Sequence, residues 1–338
     1  MRIKYKDNGY ILCFLLCFLL CFILSYLVLL KSDYFPADFL PYTEIYDGTY
    51  GEINNIEPAF LYLTRLFHYL NFPYIFFAML VCALCLSWKI KYARKIIKDS
   101  YIYLFLYVYV SFYVFLHEMT QLRIAIAVTM CYVSVYYYFY KNCIKHALPW
   151  MVLAILFHYS ALLLFMSLFI YSYRRLLIVI IGFVICMSFL NVYADTIALY
   201  LPNEKIVNYL YSISSSLDNR NDLAIFNLNN IIFLSIFILI FYLSRYIKLN
   251  DNEAKFIKYV QCSGILAFCI FFLASGVPVI AYRTAELLRI FYPMALVLIL
   301  SHIKNNNMRY FIAVIIVILS GLMLFITLRA VSIVGQGL

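Results

Sequence analysis

Apolar runs long enough to cross a bilayer follow one another along nearly the whole chain, separated by short segments rich in Lys and Arg. A helix needs about 20 apolar residues to cross a hydrocarbon core of about 30 Å. The stretch from Tyr10 to Leu30 is the first to supply them. Arg2, Lys4 and Lys6 precede it, and it is longer than a signal-peptide core and lacks a small-x-small cleavage site. It therefore reads as an uncleaved first span with a cytoplasmic N-terminus. A content of 66% hydrophobic and 12% charged residues, with a mean hydropathy of +0.92, leaves no room for a soluble domain. The expectation is one integral membrane domain over residues 1–338. Its class is all-α, a polytopic transmembrane helical bundle with roughly 9 to 11 crossings.

In such a chain Lys and Arg report topology first, so a net charge of +10 does not argue for nucleic acid. The cysteines sit mostly in apolar runs, and the pair Cys82 and Cys85 has no second Cys or His pair to complete a metal site. No metal and no cofactor are expected.

Positive clusters then order the spans. Residues 31–57 form a polar external loop in which Asp33, Asp38, Glu44, Asp47, Glu52 and Glu57 alternate with tyrosines. Glu57-Pro58 starts a helix, since Pro suits the first helical position. That helix stops near Asn71-Phe72-Pro73, too short to cross, and is expected to be a half-helix dipping in from outside. Residues 74–88 return to a cytoplasmic cluster of Lys89, Lys91, Arg94, Lys95 and Lys98. Residues 100–116 go out, placing His117 to Arg123 at the external face, and 122–140 come back to Lys141, Lys145 and His146.

The segment from Ala147 to Tyr173 is long enough for one crossing, but a single crossing would put Arg174 and Arg175 outside, and later Arg245, Lys248, Lys255 and Lys258 as well. A re-entrant or paired hairpin turning near His158-Tyr159-Ser160 keeps all of these cytoplasmic. Residues 176–192 then lead out to a second external loop, 193–227, and the runs 229–244, 256–274, 284–301 and 310–328 complete the bundle. With this topology the cytoplasmic side holds 18 of the 26 Lys and Arg but only four of the 16 acids, Asp7, Asp99, Asp251 and Glu253, which supports the orientation.

An ionisable group at membrane depth costs about 2.5 kcal/mol or more, so those near the external face ask for a use. Arg123, Arg283 and Arg289 lie where spans begin. On a continuous helix Arg289 sits about 9 Å deeper than Arg283, with Glu286 three residues from each. These groups fit either an i, i+3 lattice of ion pairs or a cationic site for phosphate. His158 beside Ser160 is either bonded across helices or faces a cavity. Glu57 and Glu118 serve as a cap or an Arg partner, or accept a proton from a hydroxyl.

The pattern Gln121-x-Arg123 opening a span, followed by Phe157-His158-Tyr159-Ser160-Ala161, resembles the EpsG family of polysaccharide polymerases, related to the Wzy O-antigen polymerases. Glu57-Pro58-x-Phe60 and Arg283 fit the same pattern, over most of the chain from Asp33 to Pro293. The resemblance implies a multi-pass protein of the bacterial cytoplasmic (inner) membrane that joins undecaprenyl-pyrophosphate-linked oligosaccharide repeat units at its outer face, in exopolysaccharide, capsule or O-antigen synthesis. It implies a metal-independent glycosyltransferase with Arg123, His158, Glu57 and Glu118 as catalytic candidates. Gln121, Ser160, Arg283, Glu286 and Arg289 are the substrate-binding candidates. Partners would be the lipid-linked glycan, membrane lipid and a chain-length regulator protein. A flippase for the same lipid-linked sugar is the alternative from another class. A membrane acyltransferase built on His158 and a membrane scaffold are two further readings.

Overall fold

The computed structural model describes residues 39–51, 56–168, 170, 227–274 and 278–334, with scattered helical positions between 15 and 19 and between 175 and 185. The predicted first span at 10–30, the outward crossing at 176–192 and the loop at 193–227 fall largely outside these residues. Within them the chain forms twelve helices and no strand. In order these are α1 (Phe39–Asp47), α2 (Pro58–Tyr69), α3 (Tyr74–Ala93), α4 (Ile102–Tyr109), α5 (Leu122–Val135), α6 (Ile144–Phe157), α7 (Ala161–Leu168), α8 (Leu228–Leu243), α9 (Asp251–Leu273), α10 (Pro278–Leu288), α11 (Tyr292–His302) and α12 (Asn306–Val334). Two of them run on into wider π-helical turns, α4 through Val110–Glu118 and α5 through Tyr136–Tyr140. Six stretches among the described residues are long and apolar enough to cross a membrane: Tyr74–Ala93, Asp99–Glu118, Leu122–Tyr140, Asp251–Leu273, Ala281–His302 and Asn306–Arg329. This is a multi-pass membrane protein.

The chain divides into two compact units, Met1–Leu162 with Leu296–Leu338, and Leu163–Ala295. In the first, the short helix expected after Glu57-Pro58 is present. Helix α2 has 12 residues, about 18 Å, and Pro58 occupies its first turn. It ends where Asn71 takes the left-handed conformation (φ 57°), which Asn tolerates better than most residues. Helices α5 and α6 form an antiparallel hairpin through the short turn Lys141–Cys143, where Asn142 is left-handed (φ 48°).

Two expectations for this unit need correction. The stretch 31–57 is not simply a polar loop, because Tyr42, Ile45 and Tyr46 recur at i, i+3, i+4 and are buried on one face of α1. Tyr46 packs against Phe77 with ring centroids 5.3 Å apart, and its hydroxyl donates to the Phe72 carbonyl at 2.5 Å. Lys89, read as a cytoplasmic loop residue, lies inside α3, which continues past Trp88 to Ala93 because Leu86, Ile90 and Ala93 keep one face apolar and buried.

The second unit is built on α9, whose start is fixed by a capping box in which Asn250 and Glu253 exchange side-chain and backbone bonds. Cys262, Leu266, Ile270 and Phe271 of α9 pack with Ala281, Ala285 and Leu288 of α10 into an apolar cluster. The run 284–301 is not one continuous helix. It breaks at Arg289–Phe291, since Pro293 has no N–H to return to the Arg289 carbonyl, and Tyr292 donates to that carbonyl instead at 2.9 Å. Gly264 of α9 lets α8 and α11 approach. A methyl group there would lie 2.9 Å from the Phe237 ring and closer still to the Tyr292 hydroxyl. Gly264→Ala is expected to destabilise the protein by about 1–3 kcal/mol, read as a lower unfolding temperature in detergent, and an unchanged temperature would contradict the packing.

Candidate active site

Three of the predicted residues meet in the first unit. Glu57 precedes α2 in extended conformation and does not cap that helix with its side chain. Its carboxylate instead reaches two other elements. Arg123 Nη1 donates to Glu57 Oε2 at 2.6 Å, and His158 Nδ1 lies 3.0 Å from Glu57 Oε1. Packing of α2 on α6 and of α6 on α5 makes this meeting possible. The α5–α6 hairpin sets the N-terminal turn of α5, which carries Arg123, beside the C-terminal end of α6. There His158 leaves the helix in extended conformation (φ −159°, ψ 113°), which aims its ring at Glu57.

Helix α1 adds a fourth group. Arg123 Nε donates to the Tyr42 hydroxyl at 3.2 Å, and its guanidinium carbon stands 5.4 Å from that ring, a cation–π contact. Tyr42 is itself held edge-on by Phe60, which is fully buried. The side chain of Glu57 is only 6% exposed, against 12% for His158 and 23% for Arg123, so the carboxylate is the innermost member of the cluster and the guanidinium the outermost.

These contacts set the protonation states. Burial alone would raise the Glu57 pKa, but the hydrogen bond from His158 and the charge of Arg123 outweigh it and hold the carboxyl down at about 2. Glu57 is therefore a carboxylate at neutral pH and only accepts hydrogen bonds. The His158 Nδ1 must then be the donor, so that Nε2 is the ring nitrogen left to face a substrate. A group held this far below the operating pH is a weak base. Glu57 fits the role of orienting His158 and Arg123, and His158 fits that of accepting a proton. Because the folded pKa is depressed, the Glu57 contribution to stability is complete above about 4.5 and disappears as pH falls toward 2. The stability gap between the parent chain and Glu57→Gln is expected to be about 3 kcal/mol at pH 7. It should narrow between pH 4.5 and 2, as followed by thermal unfolding, and a gap that stays constant with pH would contradict the pairing.

Gln121 and Ser160 flank the cluster. Gln121 sits just before α5, with its side-chain oxygen buried and without a hydrogen-bond partner, and Ser160 is half-buried in the turn after His158. Glu118 does not join them. It is fully buried and forms an ion pair with Lys89, whose ammonium also donates to the Ala125 carbonyl at 3.1 Å, and it accepts from the Tyr109 hydroxyl at 2.9 Å. Sequence reasoning missed Lys89 and Tyr109. The readable signal was the apolar spacing of Leu86, Ile90 and Ala93, which carries the helix through Lys89.

Arg283, Glu286 and Arg289 belong to the second unit. Arg283 is exposed on α10, Glu286 is half-buried, and the charges of both arginines bear on it. Arg289 is 1% exposed in the turn after α10, its guanidinium between the rings of Phe233 (4.7 Å) and Phe268 (4.2 Å), and Nη1 donates to Asn230 Oδ1 at 3.3 Å.

The EpsG family model matches residues 11–337, nearly the entire chain. The chain belongs to the EpsG family. EpsG proteins are polysaccharide polymerase-like, and this membership points to a glycosyltransferase-like, polymerase-type function. No curated protein and no solved structure matches this EpsG chain.

Proposed function

We propose that this protein is a polysaccharide polymerase that transfers a growing glycan from one undecaprenyl-pyrophosphate carrier to a hydroxyl of another lipid-linked repeat unit, at the outer face of the cytoplasmic membrane. The observation that carries the reading is the chain His158–Glu57–Arg123, which puts a proton acceptor and a cation on the two oxygens of one carboxylate.

In this scheme the acceptor hydroxyl gives its proton to His158 Nε2 as its oxygen attacks the anomeric carbon of the donor. The bond from that carbon to the pyrophosphate oxygen breaks, and the pyrophosphate leaves on its lipid. Arg123 has Nη1 and Nε engaged with Glu57 and Tyr42, and the Nη2 group serves the departing phosphate. A positive charge so placed stabilises the leaving group most as the bond breaks. Gln121 and Ser160 would hold the sugars. Arg283, Glu286 and Arg289, all in the second unit, are proposed as substrate-binding residues in their own right.

The test is reconstitution of the purified chain in lipid nanodiscs with undecaprenyl-pyrophosphate-linked repeat units. A ladder of products longer than one repeat supports polymerisation. Single repeats alone, with the same lipid moved across liposome bilayers, would replace this reading with a flippase.

A further inference from the structure

The ion pair of Lys89 and Glu118 lies outside the proposed catalytic cluster, yet one of its bonds ends on the helix that carries Arg123 and Glu118 itself stands just before that helix. Both side chains are 0% exposed. Glu118 ends the π-helical turn Val110–Glu118, and three residues, Met119–Gln121, separate it from α5. That turn is closed by the Met119 N–H bonded to the Val114 carbonyl (3.1 Å) and the Gln121 N–H bonded to the His117 carbonyl (2.9 Å). On one side the Glu118 backbone carbonyl accepts from Cys82 of α3, and its carboxylate accepts from Tyr109 of α4. On the other, Lys89 donates to the Ala125 carbonyl, two residues beyond Arg123, and the Thr129 hydroxyl shares that carbonyl at 2.8 Å. One ammonium thus ties α3 both to the end of the π-helical turn and to the first turn of α5.

Two ionised groups so deeply buried carry a large desolvation penalty, which for stability alone an apolar pair would avoid. Wide π-helical turns are themselves rare and frequent at functional sites. What the ionic pair supplies and an apolar pair does not is direction: a charged donor fixed on one particular carbonyl at the base of α5. We propose that Lys89, held by Glu118, is a positioning residue that sets the register of the α5 N-terminus and so aims the Arg123 guanidinium at Glu57 and the substrate phosphate. This assigns Glu118 a role in positioning rather than in proton transfer, and it rests on the polymerase reading only for the identity of the phosphate.

The test uses the full chain in nanodiscs and two variants that remove both charges together, Lys89→Met with Glu118→Gln and Lys89→Gln with Glu118→Gln. Hydrogen–deuterium exchange is followed without any substrate. Exchange in peptides covering 119–127 should rise about tenfold while peptides from α12 keep the parent rate. Unchanged exchange over 119–127, or an equal rise throughout the chain, would overturn the proposal. A second arm measures glycan extension. The paired variants should lose about tenfold in the parent background but less than about twofold more when Arg123→Lys is already present, because residues acting through one another are not additive. Losses that multiply would show that Lys89 does not act through Arg123. If the parent chain extends no lipid-linked glycan, the polymerase reading fails by itself, and the exchange result still decides the positioning role.

Discussion

Replacing Arg123 with alanine is expected to slow glycan extension about 10²- to 10³-fold, the range found when one preorganised charge-stabilising donor is removed from an active site. The guanidinium makes three contacts at once, to Glu57, to the Tyr42 hydroxyl and to the Tyr42 ring face, so its loss both withdraws charge from the leaving phosphate and frees Glu57 to turn. Arg123→Lys should recover only part of the rate, since an ammonium supplies the charge without the planar fork. His158→Ala should cost about 10²- to 10⁴-fold through loss of the base. Combining it with Arg123→Ala should add little, because losses of residues that work as one catalytic unit are not additive. Initial extension rates, normalised to the amount of chain recovered in membranes, provide the measurement. Polymer of normal length and rate from either alanine variant would remove the cluster from the mechanism.

The cluster was partly legible in the sequence, and the reason is local. Arg123 opens a helix, His158 breaks one beside a Tyr-Ser turn, and Glu57 precedes a proline. Each mark belongs to a helix end, where polar side chains stand out against apolar runs. That Glu57 receives both partners was not legible, because it depends on α2 packing against α6 across about 100 residues of chain. Helix α1 was hidden by its acids and tyrosines, whose composition reads as a loop although their spacing is helical. The break at Arg289 was present in Pro293, but an apolar run of spanning length outweighs one proline in a hydropathy reading. Lys89 was concealed by an orientation rule that counts lysines near a span end as cytoplasmic, whereas this one turns back into the bundle to meet Glu118.

That meeting gives the second large expectation. Lys89→Met alone strands the Glu118 carboxylate, which is fully buried and would keep a hydrogen bond from the Tyr109 hydroxyl but no counter-charge. An uncompensated charge of this kind costs about 3–5 kcal/mol, enough to lower the accumulation of the chain in membranes. Glu118→Gln alone should cost less, about 1–3 kcal/mol, because an amide oxygen still accepts from Tyr109 and the ammonium keeps the Ala125 carbonyl and the face of the Tyr109 ring, 5.4 Å away. Adding Glu118→Gln to Lys89→Met should then restore most of the loss, since no charge remains to be desolvated. Thermal unfolding of the four proteins in one detergent gives the coupling directly. A double variant as unstable as the sum of the singles would mean that the two charges do not depend on each other. Recovery of stability without recovery of glycan extension would separate what the pair does for the fold from what it does for Arg123.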